Sequence, residues 1–242
     1  MLGRILKDVF RSFVSSRSGG QADAPNPLAE YFFNNPGLPI LKWEHYLEIY
    51  HRHFAVFRGR APVVLEIGVL NGGSLQMWRR YFGPQSLIVG VDVNPRCLQF
   101  QSEGIAVMIG DQSDRRFLAE IRAKLPRIDI IIDDGGHTMT GQIATFEELY
   151  PHLRQDGVYL CEDLHSSLFP EYGGGYGRRD TFLEYSKALV DRLHAWHSRD
   201  PSQLAVDYIT RNTFALHFYD SVFVAEKRAI SQPVSTQTGK LP

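Results

Sequence analysis

The stretch Val63-Val64-Leu65-Glu66-Ile67-Gly68-Val69-Leu70-Asn71-Gly72-Gly73-Ser74 passes from an apolar, β-branched run through a glycine-rich turn into a helical pattern. A short run of this kind, bounded by turn signals, reads as a strand covered on both faces, as in a parallel sheet. Glycines let the backbone approach a ligand closely, and the helix that follows starts with free N–H groups. A dinucleotide fingerprint needs GxGxxG, and Val69 and Leu70 move the glycines out of that register.

The same pattern recurs along the chain. Apolar runs at 87–91, 105–109, 128–132 and 158–161 alternate with helical patterns at 74–81, 95–102, 113–125, 140–153 and 181–196. Repeated strand and helix alternation predicts an α/β fold with a Rossmann-like, doubly wound sheet. Two last runs, 213–219 and 221–226, are separated only by Asp220, too little chain for a parallel crossover. They are expected to pair antiparallel at one edge, giving a seven-stranded, mostly parallel sheet with an antiparallel closing strand. A helix rich in aromatics and histidines is expected at 43–57. Residues 1–15 read as an amphipathic helix and 15–27 as a linker rich in Ser, Gly, Pro and Ala. A single domain is expected at 28–228, followed by a disordered tail at 229–242.

The composition narrows the partners. The 242 residues are 43% hydrophobic and 22% charged with a formal net charge of −1, and no basic block suggests a nucleic-acid partner. No apolar run reaches the ~18 residues of a membrane span. Cys97 and Cys161 lie outside any CxxC spacing, so neither a disulfide framework nor a thiolate metal site is indicated, and Cys161 reads as a buried, inert thiol. A cytoplasmic enzyme acting on a small molecule follows as the expectation, with homo-oligomerisation left open.

In open α/β sheets ligands bind beyond the carboxyl ends of the strands. After the second run stands Asp92, whose carboxylate can accept from ribose hydroxyls. After the third stand Asp111 and Gln112, either adenine contacts or, with Ser113, part of a helix N-cap. The fourth run ends in Asp133-Asp134-Gly135-Gly136-His137 and the fifth in Glu162-Asp163-Leu164-His165. If those strands are neighbours, their ends lie roughly 5 Å apart. Asp134, Glu162 and Asp163 would then repel one another at the mouth of an apolar sheet unless a cation joined them. Oxygen ligands favour Mg²⁺, with Mn²⁺ or Ca²⁺ as substitutes.

These strand-end residues resemble those of class I S-adenosylmethionine-dependent methyltransferases. The likeness implies that Glu66, Gly68 and Ser74 serve the methionine end of S-adenosylmethionine and that Asp92, Asp111, Gln112 and Asp133 complete the cofactor contacts. It narrows through Lys42-Trp43, His45-Tyr46, Tyr50-His51-Arg52-His53-Phe54, Met77-Trp78, Pro170-Glu171-Tyr172-Gly173-Gly174, Leu193-His194-Ala195-Trp196-His197 and Tyr219-Asp220-Ser221. Over residues 42–228 the chain resembles bacterial Mg-dependent sugar O-methyltransferases of macrolide and antibiotic pathways. That resemblance implies Asp134, Glu162 and Asp163 as metal ligands and His137 as general base, acting on a hydroxylated, sugar-bearing acceptor.

Such chemistry needs a base because a sugar hydroxyl is a poor nucleophile until deprotonated, and histidines ordinarily titrate near neutral pH. A metal stabilises the alkoxide as it develops. His165 and Tyr172 are candidate acceptor contacts, with packing as the other reading of His165, and residues 169–179 are expected to form a mobile loop over the acceptor. The family usually has Ser where this chain has Gly136, which would loosen the turn holding His137. Some members also carry a large N-terminal domain, which the stretch before Lys42 is too short to supply, so a more open pocket is expected. Competing readings are a phenol O-methyltransferase with the same metal logic, an iron oxygenase using His137, Asp163 and His165, and a non-enzymatic module on the same fold.

Overall fold

The structure, a computed structural model, describes residues 26–240. The expected amphipathic helix at 1–15 and nearly all of the expected linker therefore lie outside the described residues.

Seven strands form one sheet: β1 (Val63–Ile67), β2 (Leu87–Asp92), β3 (Ile105–Ile109), β4 (Ile130–Asp133), β5 (Val158–Cys161), β6 (Thr213–Tyr219) and β7 (Val222–Lys227). Their order is β3-β2-β1-β4-β5-β7-β6, with β1 to β5 parallel and β7 antiparallel to both of its neighbours. The strand order reverses between β1 and β4, which makes their carboxyl ends the switch point where a ligand crevice opens. The helices are α1 (Pro27–Phe33), α2 (Tyr46–Phe54), α3 (Gly73–Phe82), α4 (Arg115–Lys124), α5 (Met139–Leu149), α6 (Phe182–Leu193) and α7 (Tyr208–Asn212).

Helix starts follow local chemistry. Asp114 accepts from the Arg116 N–H at the head of α4, Thr138 from Gly141 at α5, and Thr181 from Glu184 at α6. Each side-chain oxygen satisfies one of the donors that a first helical turn leaves unpaired. The helix expected at 95–102 is a 3-10 segment, Pro95–Phe100. Its proline and the Asn94 cap start a turn, but the chain bends back at Gln101 to reach β3 before an α-helix can propagate. Helix α1, in a segment for which no element was expected, is capped by Asn26, with Pro27 at its first position.

Side-chain alternation divides the core in two. Val64, Ile88, Ile130, Ile132, Val158, Leu160 and Val224 face α1, α2 and α3, with Tyr46, Tyr50, Phe54 and Trp78 filling that layer. Leu65, Ile67, Val89, Val91, Ile131, Tyr159, Cys161 and Phe223 face the layer of α4 to α7. Because successive residues of a strand point to opposite faces, this parity decides where every strand-end carboxylate goes. No helix among the described residues is long and apolar enough to cross a membrane.

Candidate functional site

A cavity of about 720 Å³ opens at the carboxyl ends of the strands. Its wall includes the 67–71 turn after β1, Asp92, the 110–113 turn after β3, the 134–138 turn after β4, and Glu162 and Asp163 after β5. Residues 39–43 and Tyr46 close the remaining side.

Two glycines make this closure possible. Gly68 has φ +97°, and a Cβ there would stand 1.9 Å from the Asp134 carbonyl oxygen, so only glycine lets the β1 and β4 turns meet. At Gly73 a Cβ would lie 2.4 Å from the Pro39 carbonyl. The first turn of α3 thus accepts the backbone of 38–40, which carries Lys42 into the site.

Lys42 is the residue that the sequence reading left without a role. Its side chain is 3% exposed, and its ammonium bonds Asp134 Oδ2 and both oxygens of Glu162 at 2.9 Å. Burial alone would favour the neutral amine, but the carboxylates of Asp134, Glu162 and Glu66 outweigh it and hold Lys42 charged. Burial and the Asp134 charge push Glu162 well up, while Lys42 pulls it down. The need for a counter-charge was legible in the acidic motifs. Which cation would reach them was not.

Asp163 meets the cluster from a left-handed conformation, φ 57°, and His137 does the same at φ 52°. Both are uncommon for residues with a Cβ and mark a site whose geometry the surrounding fold imposes. The Tyr46 hydroxyl donates to Asp163 Oδ1 at 2.7 Å, and His137 Nε2 lies 3.4 Å from Asp163 Oδ2 and 4.0 Å from Asp134 Oδ1. Donor atoms of Asp134, His137 and Asp163 all lie within 4.8 Å of one another. The expected trio of Asp134, Glu162 and Asp163 is therefore arranged differently: Asp134 and Asp163 gather with His137, while Glu162 is held by Lys42.

On the other side of the cavity, Asp92 accepts from the N–H groups of Val69 (3.0 Å), Leu70 (3.1 Å) and Asn94 (2.8 Å). Partial burial would raise its pKa, but those three bonds bring it below the usual carboxylate range. Asp111 lines the cavity and accepts from the backbone and hydroxyl of Ser113, both at 2.7 Å, while the cap of α4 is Asp114. Gln112 also lines it, but donates to Asp133 (2.9 Å) and Thr145 (3.2 Å) and accepts from the Gly136 N–H (2.9 Å). Its amide therefore braces the turn that carries His137.

Several expected contacts stand elsewhere. Asp133 is fully buried, bonded to Gln112 and to the Tyr159 hydroxyl (3.0 Å), and does not line the cavity. It shares the parity of Ile131 and so faces the α5 layer, opposite Asp134. Glu66 is likewise buried behind the wall, accepting from Ser74 Oγ and Trp78 Nε1 at 2.8 Å each. Ser74 itself reaches the wall. His165 points away: Nδ1 lies 2.6 Å from Ser221 Oγ and the ring stacks on Trp43, which lines the cavity. The constellation of two histidines and one carboxylate that an iron oxygenase would need, His137, Asp163 and His165, is thus not assembled.

Tyr172 is off the wall with its ring 6.3 Å from that of His137. No residue of the expected acceptor loop, 169–179, lines the cavity, since Gly174 and Gly175 hydrogen-bond back to Phe169 and Ser167. At Gly136 a Cβ would meet nothing within 4 Å, so the family's serine would fit there unhindered.

Comparison with known proteins places this fold among similar ones. Residues 65–164 match the family described as a methyltransferase domain. A Streptomyces olivaceus protein, 8-demethyl-8-alpha-L-rhamnosyl tetracenomycin-C 2'-O-methyltransferase, is 36% identical over 215 residues, covering 81% of this chain and 56% of that protein. The mycinamicin VI 2''-O-methyltransferase of Micromonospora griseorubida is 34% identical over 225 residues, covering 88% and 55%. A solved structure of the MycE methyltransferase of the mycinamycin biosynthetic pathway, in complex with Mg and SAH, superposes with a TM-score of 0.74 at 32% identity, covering 84% of this chain and 54% of that one. The chain spans about half the length of the relatives it matches. Its sheet order and these likenesses give the chain the class I methyltransferase fold, and over about half of their length it is similar to sugar O-methyltransferases of antibiotic pathways.

Proposed function

We propose that this protein transfers the methyl group of S-adenosylmethionine to a hydroxyl of a sugar-bearing small molecule, with a divalent ion at the acidic cluster and His137 as base. The observation that carries the reading is a single cavity with Asp92 and the Gly68 turn on one side and Asp134, His137 and Asp163 on the other. The names of the relatives support the sugar acceptor, and the complex of MycE with Mg and SAH supports donor and ion.

The donor set suits such an ion. Asp134 and Glu162 share the ammonium of Lys42, and Asp163 stands with Asp134 beside His137, an excess of negative charge that a hard divalent cation relieves. Asp134 and Asp163 would hold it, with Glu162 kept beside them by Lys42. When bound, the ion supplies Lewis-acid stabilisation for an acceptor oxygen losing its proton. The donor supplies an electrophilic methyl, so that an O–C bond forms as the S–C bond breaks.

The protein's own part is positional. Tyr46 pins Asp163 Oδ1 and leaves Oδ2 facing His137 Nε2, the nitrogen that accepts the hydroxyl proton. Asp134 and Asp163 then balance the imidazolium. Asp92, fixed by three backbone donors, would offer its remaining acceptor capacity to the donor's ribose, and Asp111, on the same cavity wall, would serve the adenine.

Calorimetry with S-adenosylmethionine on chelator-stripped protein, paired with turnover on the relatives' glycoside acceptors, tests the proposal. His137→Ala is expected to bind the donor as the parent does while turnover falls by about 10²- to 10⁴-fold. EDTA should abolish turnover and Mg²⁺ restore it. Full activity in chelator, or an unimpaired His137→Ala enzyme, would overturn the assignment.

A further inference from the structure

A second cluster of ligating side chains lies away from this cavity. His217 and Tyr219 are two residues apart on β6, and Glu226 on β7 is paired with Ala215, so all three share one face of the sheet edge. Helix α2 crosses that face and lowers His53 onto it. His53 Nδ1 is 3.0 Å and His217 Nε2 3.2 Å from the same oxygen, Glu226 Oε1, and one donor atom from each residue lies within 4.8 Å of the others. His53 is buried, whereas His217 and Glu226 are partly exposed, so an ion can enter from solvent.

We propose that His53, His217 and Glu226 form a binding site for a divalent ion of the zinc class. Two imidazoles and a carboxylate are a donor set such ions favour, with a fourth position open to water. Around a tetrahedral ion at ~2.1 Å, donors stand about 3.4 Å apart, so the two observed separations need only a slight opening. The hydroxyl of Tyr219, 2.9 Å from His53 Nε2, orients the ring so that Nδ1 faces the ion, the outer support that metal-bound histidines ordinarily have.

The site staples α2 to the β6–β7 edge. The same helix presents Tyr46 to the acidic cluster, seven residues and about 10 Å earlier along its axis. A bound ion therefore stabilises one wall of the cavity without touching its chemistry.

The test is Zn²⁺ and Co²⁺ titration of the chelator-stripped full chain in saturating Mg²⁺, followed by calorimetry, Co²⁺ absorption and thermal unfolding. One equivalent is expected, with the intense visible absorption of a low-coordinate Co²⁺ site and a raised Tm. That equivalent should be lost in His217→Ala and Glu226→Gln, weakened about 10- to 100-fold in Tyr219→Phe, and retained in Asp134→Asn. His217 and Glu226 are the sites of choice because both are partly exposed, whereas His53 is buried in the packing of α2. Binding of no equivalent, or of one that survives both His217→Ala and Glu226→Gln, overturns the proposal. Loss only in Asp134→Asn does so too, by assigning the ion to the acidic cluster.

Discussion

Lys42 shows how one side chain sets the electrostatics of the site. Removing it leaves Asp134 facing a buried Glu162 with nothing between them, and breaking a buried pair in this way costs roughly 3 to 5 kcal/mol. Lys42→Met is therefore expected to unfold at a lower temperature in EDTA, and Mg²⁺ should stabilise the variant more than the parent by taking over the missing charge. Thermal unfolding with and without Mg²⁺ measures this. An unchanged Tm in chelator would mean that Lys42 does not hold the two carboxylates. At this scale the sequence was only partly informative. The acidic residues announce themselves by number and spacing, but adjacent Asp133 and Asp134 have opposite fates because strand parity sends one into the α5 layer and the other into the cavity.

The turns after β1 and β4 work as a pair, since Gly68 lies against the Asp134 backbone and Gln112 ties Gly136 to Asp133. Gly68→Ala meets both a positive φ and a backbone clash, so a loss of about 3 kcal/mol or more is expected, together with weakened donor binding. Gly136→Ser meets neither and should stay within about 0.5 kcal/mol of the parent. Urea unfolding of the two variants compares them directly, and equal losses would show that the contact between the turns has no energetic weight. Strands were the most legible elements because β-branched runs between turn residues have few other readings. The 3-10 segment at Pro95–Phe100 was less so, because its length is set by where β3 must begin.

For the molecule as a whole, buried acids make stability depend on pH. Burial pushes the Glu66 carboxyl up to about 7, against the pull of Lys42 and the hydrogen bond from Trp78. Between roughly pH 4.5 and 7 the folded chain keeps a proton that the unfolded chain has released, so this contribution is fully present below the lower value and is lost as pH rises through the upper. The stability of the parent relative to Glu66→Gln should therefore fall by up to about 3 kcal/mol across that range, from the pKa displacement of Glu66. Chemical denaturation at a series of pH values measures the difference, and a flat profile would place the Glu66 pKa near its ordinary value.

What the amino-acid order decided alone was the architecture and the inventory: alternating runs dictate a doubly wound sheet, and such sheets gather their ligands at strand ends, where the glycine-rich turn and the acidic motifs already stand. Which of those side chains share a cavity was decided only in three dimensions. Lys42 comes from a segment packed across the head of α3, His53 reaches a sheet edge more than 160 residues later in the chain, and His165 turns to Ser221. Local patterns encode an element because the forces that form it act between near neighbours, whereas the convergence of charges depends on helix packing and strand parity, which belong to the assembled fold.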